Sequence, residues 1–363
     1  MTVQTETAQA GSALERVWFT RCPVPTATGL AYKLGWLEEE FARDNLPVST
    51  LQENAGRELA RHHYDHELPG LIREGGNLLA IAARAQGAPT RLIGLTWIDE
   101  AQAILVRPDA GITSPADLKG KRLALPRLTE FPITPTTRGR SIARAMSLAG
   151  YKGALAVAGL TFDDVKLVEV GSGGSPARET ATGDPSRGLS RLWEGIADLV
   201  EGKVDAVYVK GASAVDAARA AGVVVGIDLD AFEDRRHRVN NGTPRPITVH
   251  QDTLDRHFDI VVRFLAQTLR AADWATTHLP EVREILKAET RSGDDGVAAA
   301  YRNDFHLSLH PDLSDEKVEL FRRQRDFLLA YGFLDRDFDF DAWIDRRPLE
   351  AALELLRGER KAA

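Results

Sequence analysis

Short apolar runs alternate with helical segments along most of the chain, and this alternation restricts the available folds more than any other feature. Residues 16–20, 46–51, 90–96, 101–106, 122–125, 165–170, 204–209 and 223–227 read as strands. They are brief, apolar and bounded by turn residues, as buried strands are. Between them, 27–34, 36–43, 116–119, 141–148 and 212–220 read as helices, and Leu189, Leu192, Trp193, Ile196, Leu199 and Val200 fall on one helical face. Thr26 and Ser114 stand where N-caps belong, and Gly35, Gly120 and Gly202 where the chain turns. The segment 56–87 reads as helical pieces broken at Gly75-Gly76. A β-α-β rhythm of this kind predicts an α/β fold with mostly parallel sheets flanked by helices. The C-terminal third reads as helical, with Phe258, Val261, Val262, Leu265, Leu269 and Ala272 as one stripe. The stretches 171–187 and 234–246, rich in Gly, Pro and polar residues, read as flexible loops.

Charge and cysteine content narrow the function classes. The net charge of -7 argues against a nucleic-acid partner, which needs a basic surface. No apolar run approaches the ~20 residues of a membrane span, so no membrane partner is expected. Residues 1–12 lack the basic start and apolar core of an export signal. One cysteine, Cys22, cannot form an internal disulfide, which fits a reducing compartment and a cytoplasmic location. Without coiled-coil repeats, a monomer or small oligomer is expected.

Two stretches carry a fold resemblance. The segment V-R-P-D-A-G-I-T-S-P-A-D-L-K-G-K-R-L-A-L-P at 106–126 and E-G-K-V-D-A-V-Y-V-K at 201–210 resemble solute-binding proteins of the nitrate, sulfonate and taurine uptake group. That resemblance implies a two-lobed, type 2 periplasmic-binding-protein-like fold. Lobe 1 would begin with 14–107, lobe 2 would span 108–240, and 241–363 would return to lobe 1 and add C-terminal helices.

A second resemblance concerns chemistry. The run Cys22-Pro23-Val24-Pro25-Thr26-Ala27 is similar to the active-site segment of the 2'-hydroxybiphenyl-2-sulfinate desulfinases, cytoplasmic members of the same fold. The run H-Y-D-H-E-L-P-G-L-I-R-E-G-G at 63–76 resembles that family's second segment. The resemblance implies catalytic roles for Cys22, His63 and Arg73, with Arg73, Gly75 and Gly76 binding substrate. It implies no cofactor, and a small anionic aromatic substrate as partner.

Those residue types suit the reaction. A guanidinium holds a two-oxygen anion through parallel charge-assisted hydrogen bonds. Glycines let the backbone approach, and their N–H groups are expected to donate to the same oxygens. A free thiol has a pKa of about 8.5, and cationic neighbours such as Arg21 and Arg73 would lower it. Two roles stay open for Cys22: attack on sulfur, or proton donation to the ring carbon. His63 would relay the proton or orient the thiol.

Plainer readings compete. Cys22 alone fits a small buried hydrophobe, and Arg73 alone a surface charge. His62 and His66, four residues apart, suggest a metal pair, but no H-E-x-x-H pattern is present and a solvated helix face is expected. No metal is expected. Trp18, Trp97, Trp193 and Trp274 read as core. The leading expectation is a cysteine-dependent desulfinase that releases sulfite. The alternatives are a non-enzymatic binder of a sulfonate-like or carboxylate anion, and a biosynthetic enzyme of the same fold, such as a thiamine-precursor synthase.

Overall fold

The computed structural model describes residues 14–20, 24–51, 53, 57–127, 138–171, 195–302 and 304–362. In chain order the elements are β1 (Val17–Thr20), α1 (Ala27–Lys33), α2 (Trp36–Ala42), β2 (Val48–Thr50), α3 (Arg57–Ala60), α4 (His62–Asp65), β3 (Leu71–Glu74), α5 (Asn77–Ala85), β4 (Thr90–Thr96), β5 (Gln102–Val106), β6 (Arg122–Pro126), α6 (Arg138–Val157), β7 (Lys166–Val170), α7 (Ile196–Val200), β8 (Val207–Lys210), α8 (Ala212–Ala221) and β9 (Val224–Asp228). There follow β10 (Arg245–His250), α9 (Gln251–Arg256), α10 (Phe258–Ala275), α11 (Leu279–Thr290), α12 (Asp294–Ala300), α13 (Asp315–Ala330) and α14 (Arg347–Ala362).

Local chemistry sets several of these boundaries. Thr26 caps α1 as expected, its hydroxyl accepting from the Gly29 N–H at 3.0 Å. Gly35 takes φ +78° between α1 and α2, a conformation that costs glycine little. Ser114 and Asp117 form a capping box on a 3-10 turn, Pro115–Leu118, where a short helix was expected.

Two sheets organise the chain. The first has the order β2-β1-β3-β10-β4. The second joins β8-β5-β9 to the β6-β7 pair through a parallel bridge, Leu123–Ala206. Each sheet is mostly parallel and carries one reversed strand, a feature the alternation did not announce. β10 runs antiparallel to β3 and β4, and β5 antiparallel to β8 and β9. Each reversed strand is the first laid down after the chain passes from one sheet to the other, through 97–101 and 239–244. The strand at 102–106 therefore pairs in the second sheet, although the sequence reading put it in the first lobe.

Helix α10 fills the centre of the first lobe with Val261, Phe264, Leu265, Leu269 and Ala272, all buried. Each large side chain buried there contributes about 2 kcal/mol. The second lobe has its own core around Ile104, Leu118, Leu123, Tyr151, Tyr208 and Ile227. Ion pairs tie the lobes on one side: Arg302 bonds Asp228 at 2.6 Å and Asp230 at 3.0 Å.

The segment 234–246 is not a surface loop at its end. Asn240 and Thr243 are buried, and Asn240 Nδ2 donates to the Met146 carbonyl at 3.0 Å and to Tyr208 Oη at 2.7 Å. Its polar composition reflects a linker whose side chains satisfy buried backbone and hydroxyl groups. The expected loop at 171–187 and Trp193 lie outside the described residues, apart from Gly171. Trp97 is buried as expected, whereas Trp18 and Trp274 are partly exposed. Among the described residues, no helix is long and apolar enough to cross a membrane.

Candidate functional site

The site is built on three neighbouring strands. In register, Thr20 of β1 pairs with Arg73 of β3, and Arg73 with Thr248 of β10. Laterally paired residues point to one face of a sheet, so these three side chains share a face. All are buried, and Arg73 is only 1% exposed. The helical reading of 71–74 is thereby corrected. Leu71–Glu74 is a central strand with all four residues buried, so it lacks the polar alternation of a half-exposed strand.

His63 comes from α4 to the same place. Its Nδ1 lies 3.0 Å from Thr20 Oγ1. Burial first, and the Arg73 charge second, lower its pKa to about 3, so the imidazole is neutral near pH 7. The neighbouring histidines do not form the solvated face expected. α4 ends after one turn, at His66 with φ +61°, and both His62 and His66 are buried. His62 Nδ1 bonds Asp65 Oδ1 at 2.7 Å, and His66 Nε2 contacts the His63 carbonyl at 3.2 Å. Among the described residues, no three His, Cys, Asp or Glu groups are placed to hold a metal ion.

The depressed pKa of His63 has a consequence for stability. The unfolded chain takes up a proton near pH 6.5, whereas folded His63 takes it up only near pH 3. Between those values the unfolded state binds more protons, so stability falls as the pH falls. Urea titrations across this window should show a shallower pH slope for His63→Gln than for the unaltered protein. Equal slopes would contradict the assignment.

The paired glycines make room for side chains. A Cβ on Gly75 would lie 3.0 Å from Cζ, Nη1 and Nη2 of Arg73, so the guanidinium lies against the Gly75 backbone. A Cβ on Gly76 would fall 2.6 Å from the Asn241 amide, which accepts from the Leu78 N–H at 3.0 Å. The Gly75 N–H is directed to the Pro246 carbonyl at 3.4 Å, within the sheet, and not toward a ligand.

Cys22, with Arg21 and Pro23, lies outside the described residues. In sequence it stands two residues after Thr20 and two before Val24. The structure thus brings together His63, Arg73, Gly75 and Gly76 and adds Thr20.

Other buried charged groups of the first sheet and the linkers were missed. Glu74 is buried, accepts from Thr96 Oγ1 at 3.1 Å, and is pushed up in pKa chiefly by burial. Lys210 Nζ lies 3.4 Å from Glu100 Oε2, and Tyr301 Oη donates to Glu100 Oε1 at 2.9 Å. Arg245 opens β10, and its charge is felt by Glu74. These residues are spread over 74–301, and no local spacing groups them.

A two-lobed α/β frame with a buried arginine and a neutral histidine at its strand ends defines a protein of the binding-protein fold. The NMT1/THI5-like family model matches residues 72–281, more than half of the chain, and the protein belongs to that family. It is 27% identical, over 94% of its length and 96% of the relative's, to the 2'-hydroxybiphenyl-2-sulfinate desulfinase of Rhodococcus erythropolis. Among solved structures, a cysteine-to-serine mutant of the enzyme DszB in complex with biphenyl-2-sulfinic acid is similar. It has a TM-score of 0.70 and 22% identity, over 94% of this chain and 99% of that one. The periplasmic aliphatic sulphonate binding protein SsuA from Escherichia coli gives a TM-score of 0.62 at 17% identity, over 92% and 93% of the two chains. The type 2 binding-protein fold expected from the sequence is therefore the fold of this chain.

Proposed function

We propose that the protein is a desulfinase that hydrolyses the carbon–sulfur bond of a small aryl sulfinate, with Cys22 as the proton donor. The convergence of Thr20, His63 and Arg73 on the strand end that leads into the Cys22 segment supports this most directly. The desulfinase activity of the relative from Rhodococcus erythropolis points the same way.

The overall reaction is aryl sulfinate plus water to arene plus bisulfite, and it needs no oxidant, reductant or cofactor. Arg73 holds the two sulfinate oxygens, as a guanidinium fork does. The thiol gives its proton to the ring carbon, and the carbon–sulfur bond breaks with loss of sulfur dioxide. Water adds to the sulfur dioxide, giving bisulfite and returning a proton to the thiolate. A neutral His63 fits this order of events, because a resting thiolate–imidazolium pair would put a second positive charge beside Arg73. The reaction is expected within the cell.

The fold shared with SsuA favours a second reading, a binder of a sulfonate-like anion. One experiment separates the two. The protein is incubated with 2'-hydroxybiphenyl-2-sulfinate and simpler aryl sulfinates, and sulfite is measured. Many equivalents of sulfite per protein are expected. Saturable binding without sulfite would assign the binding function instead.

A further inference from the structure

Asn77 is the first residue of α5, directly after Gly75 and Gly76, and it is fully buried. An asparagine at a helix start ordinarily caps its own helix. Here Gly76 holds the cap position, and the bonds of the Asn77 amide go to distant parts of the chain. Its Nδ2 donates to the Asn240 carbonyl at 2.6 Å and to the Pro244 carbonyl at 2.9 Å, both in the linker 239–244. Its Oδ1 accepts from Gln324 Nε2 of α13 at 3.1 Å. Both N–H donors and the oxygen are thus engaged. The next residue repeats the tie, because the Leu78 N–H donates to Asn241 Oδ1 at 3.0 Å. The second lobe grips the same linker from its own side. Asn240 Nδ2 bonds the Met146 carbonyl and Tyr208 Oη, and the Asn241 carbonyl accepts from Lys210 Nζ at 3.4 Å.

A buried amide whose donors satisfy two carbonyls fixes the segments it joins, because moving either one strands polar groups away from water. One of those segments is the paired-glycine turn, and the Arg73 guanidinium lies against the backbone of Gly75. Glycine backbone is the most permissive kind, so such a turn keeps its place only if the chain just beyond it is held. Asn77 supplies that hold. We propose that Asn77 is a positioning residue for the sulfinate: it pins the Gly75-Gly76 turn to the interlobe linker and thereby sets the surface against which the Arg73 head rests. The inference rests on the reading that Arg73 holds the sulfinate. In this role Asn77 acts through Gly75 and Arg73 and touches no reacting atom. Gln324 provides an internal control. It is buried and bonds Asn77 from α13, so its loss also removes a buried bond, but both ties from Asn77 to the linker remain.

The test compares full-length Asn77→Ala and Gln324→Met with the unaltered protein. Sulfite release from biphenyl-2-sulfinate gives kcat and KM, and calorimetry on the same variants in a Cys22→Ser background gives Kd for that compound. Thermal melts fix the folded fraction. Asn77→Ala should raise KM and Kd at least roughly tenfold, part of the ~10²-fold that a misplacement of about 1 Å costs. Gln324→Met should leave both close to the unaltered values. A merely structural Asn77 would lower the folded fraction, and with it the apparent kcat, while KM and Kd of the folded molecules stayed the same. Unchanged KM and Kd in Asn77→Ala therefore overturn the inference, and so does an equal rise in Gln324→Met, which would trace the effect to α13. If Asn77→Ala does not fold, Asn77→Ser, which keeps a hydroxyl donor, carries the comparison. If the unaltered protein releases no sulfite and the Cys22→Ser protein binds the sulfinate, Kd alone decides the role of Asn77 and the desulfinase reading falls. If there is neither turnover nor binding, the reading of Arg73 falls and takes the inference with it.

Discussion

The Cys22→Ser protein is expected to release sulfite at least ~10³-fold more slowly than the unaltered protein, the scale of losing a general acid. A thiol ionises near pH 8.5, whereas a serine hydroxyl is a far weaker acid and gives up its proton poorly. The substitution is nearly isosteric and leaves Arg73, buried at the strand end, in place. Binding of biphenyl-2-sulfinate should therefore stay within a few-fold, measured by calorimetry on the same preparation. Turnover within tenfold of the original would remove Cys22 from the chemistry. A loss of binding as large as the loss of turnover would turn it into a structural residue.

Arg73→Lys is expected to lower kcat/KM for an aryl sulfinate by roughly 10²–10³, the cost of removing one well-placed donor from a buried anion site. Lysine keeps the charge but not the planar fork that meets two oxygens at once. Arg73→Gln adds a second readout that a merely structural role would not move. Arg73 is the second cause of the low His63 pKa, so removing its charge should raise that pKa from about 3, although burial keeps it below the ordinary value. Proton NMR titration of the His63 ring reports this directly. An unmoved His63 together with unchanged kcat/KM would refute the assignment of Arg73 to the site.

The parts of the fold visible in the sequence were those governed by local rules. Thr26 as a cap, Gly35 as a turn and the apolar runs at 90–96 and 101–106 depend on their near neighbours. The strand carrying Arg73 was hidden for a physical reason. A central strand is ordinarily apolar throughout, and Leu71–Glu74 holds two charged residues although all four of its residues are buried. Spacing between His63 and Arg73 survived because both lie in one short segment. Thr20 meets Arg73 and His63 only through sheet pairing, and Lys210, Glu100 and Arg245 come near one another only through the two linkers, so nothing in their sequence surroundings marks them. The same holds for Asn240, whose polar neighbourhood reads as a loop although it is buried.

The place of β10 has a consequence for how the chain comes to fold. β10 sits between β3 and β4, yet it lies about 170 and 150 residues after them in the chain, beyond the whole second lobe. Until it docks, β3 and β4 each present an unpaired edge, open to pairing with other chains. On a ribosome adding residues from the N-terminus, the second lobe is complete before the first, and the first waits for a contact of high sequence separation. The surroundings of Arg73 are a late product of that order, because Arg73 is flanked by Thr248 only once the final strand is in. A chain halted before residue 250 would then carry His63 and Arg73 without the strand that closes the sheet beside them.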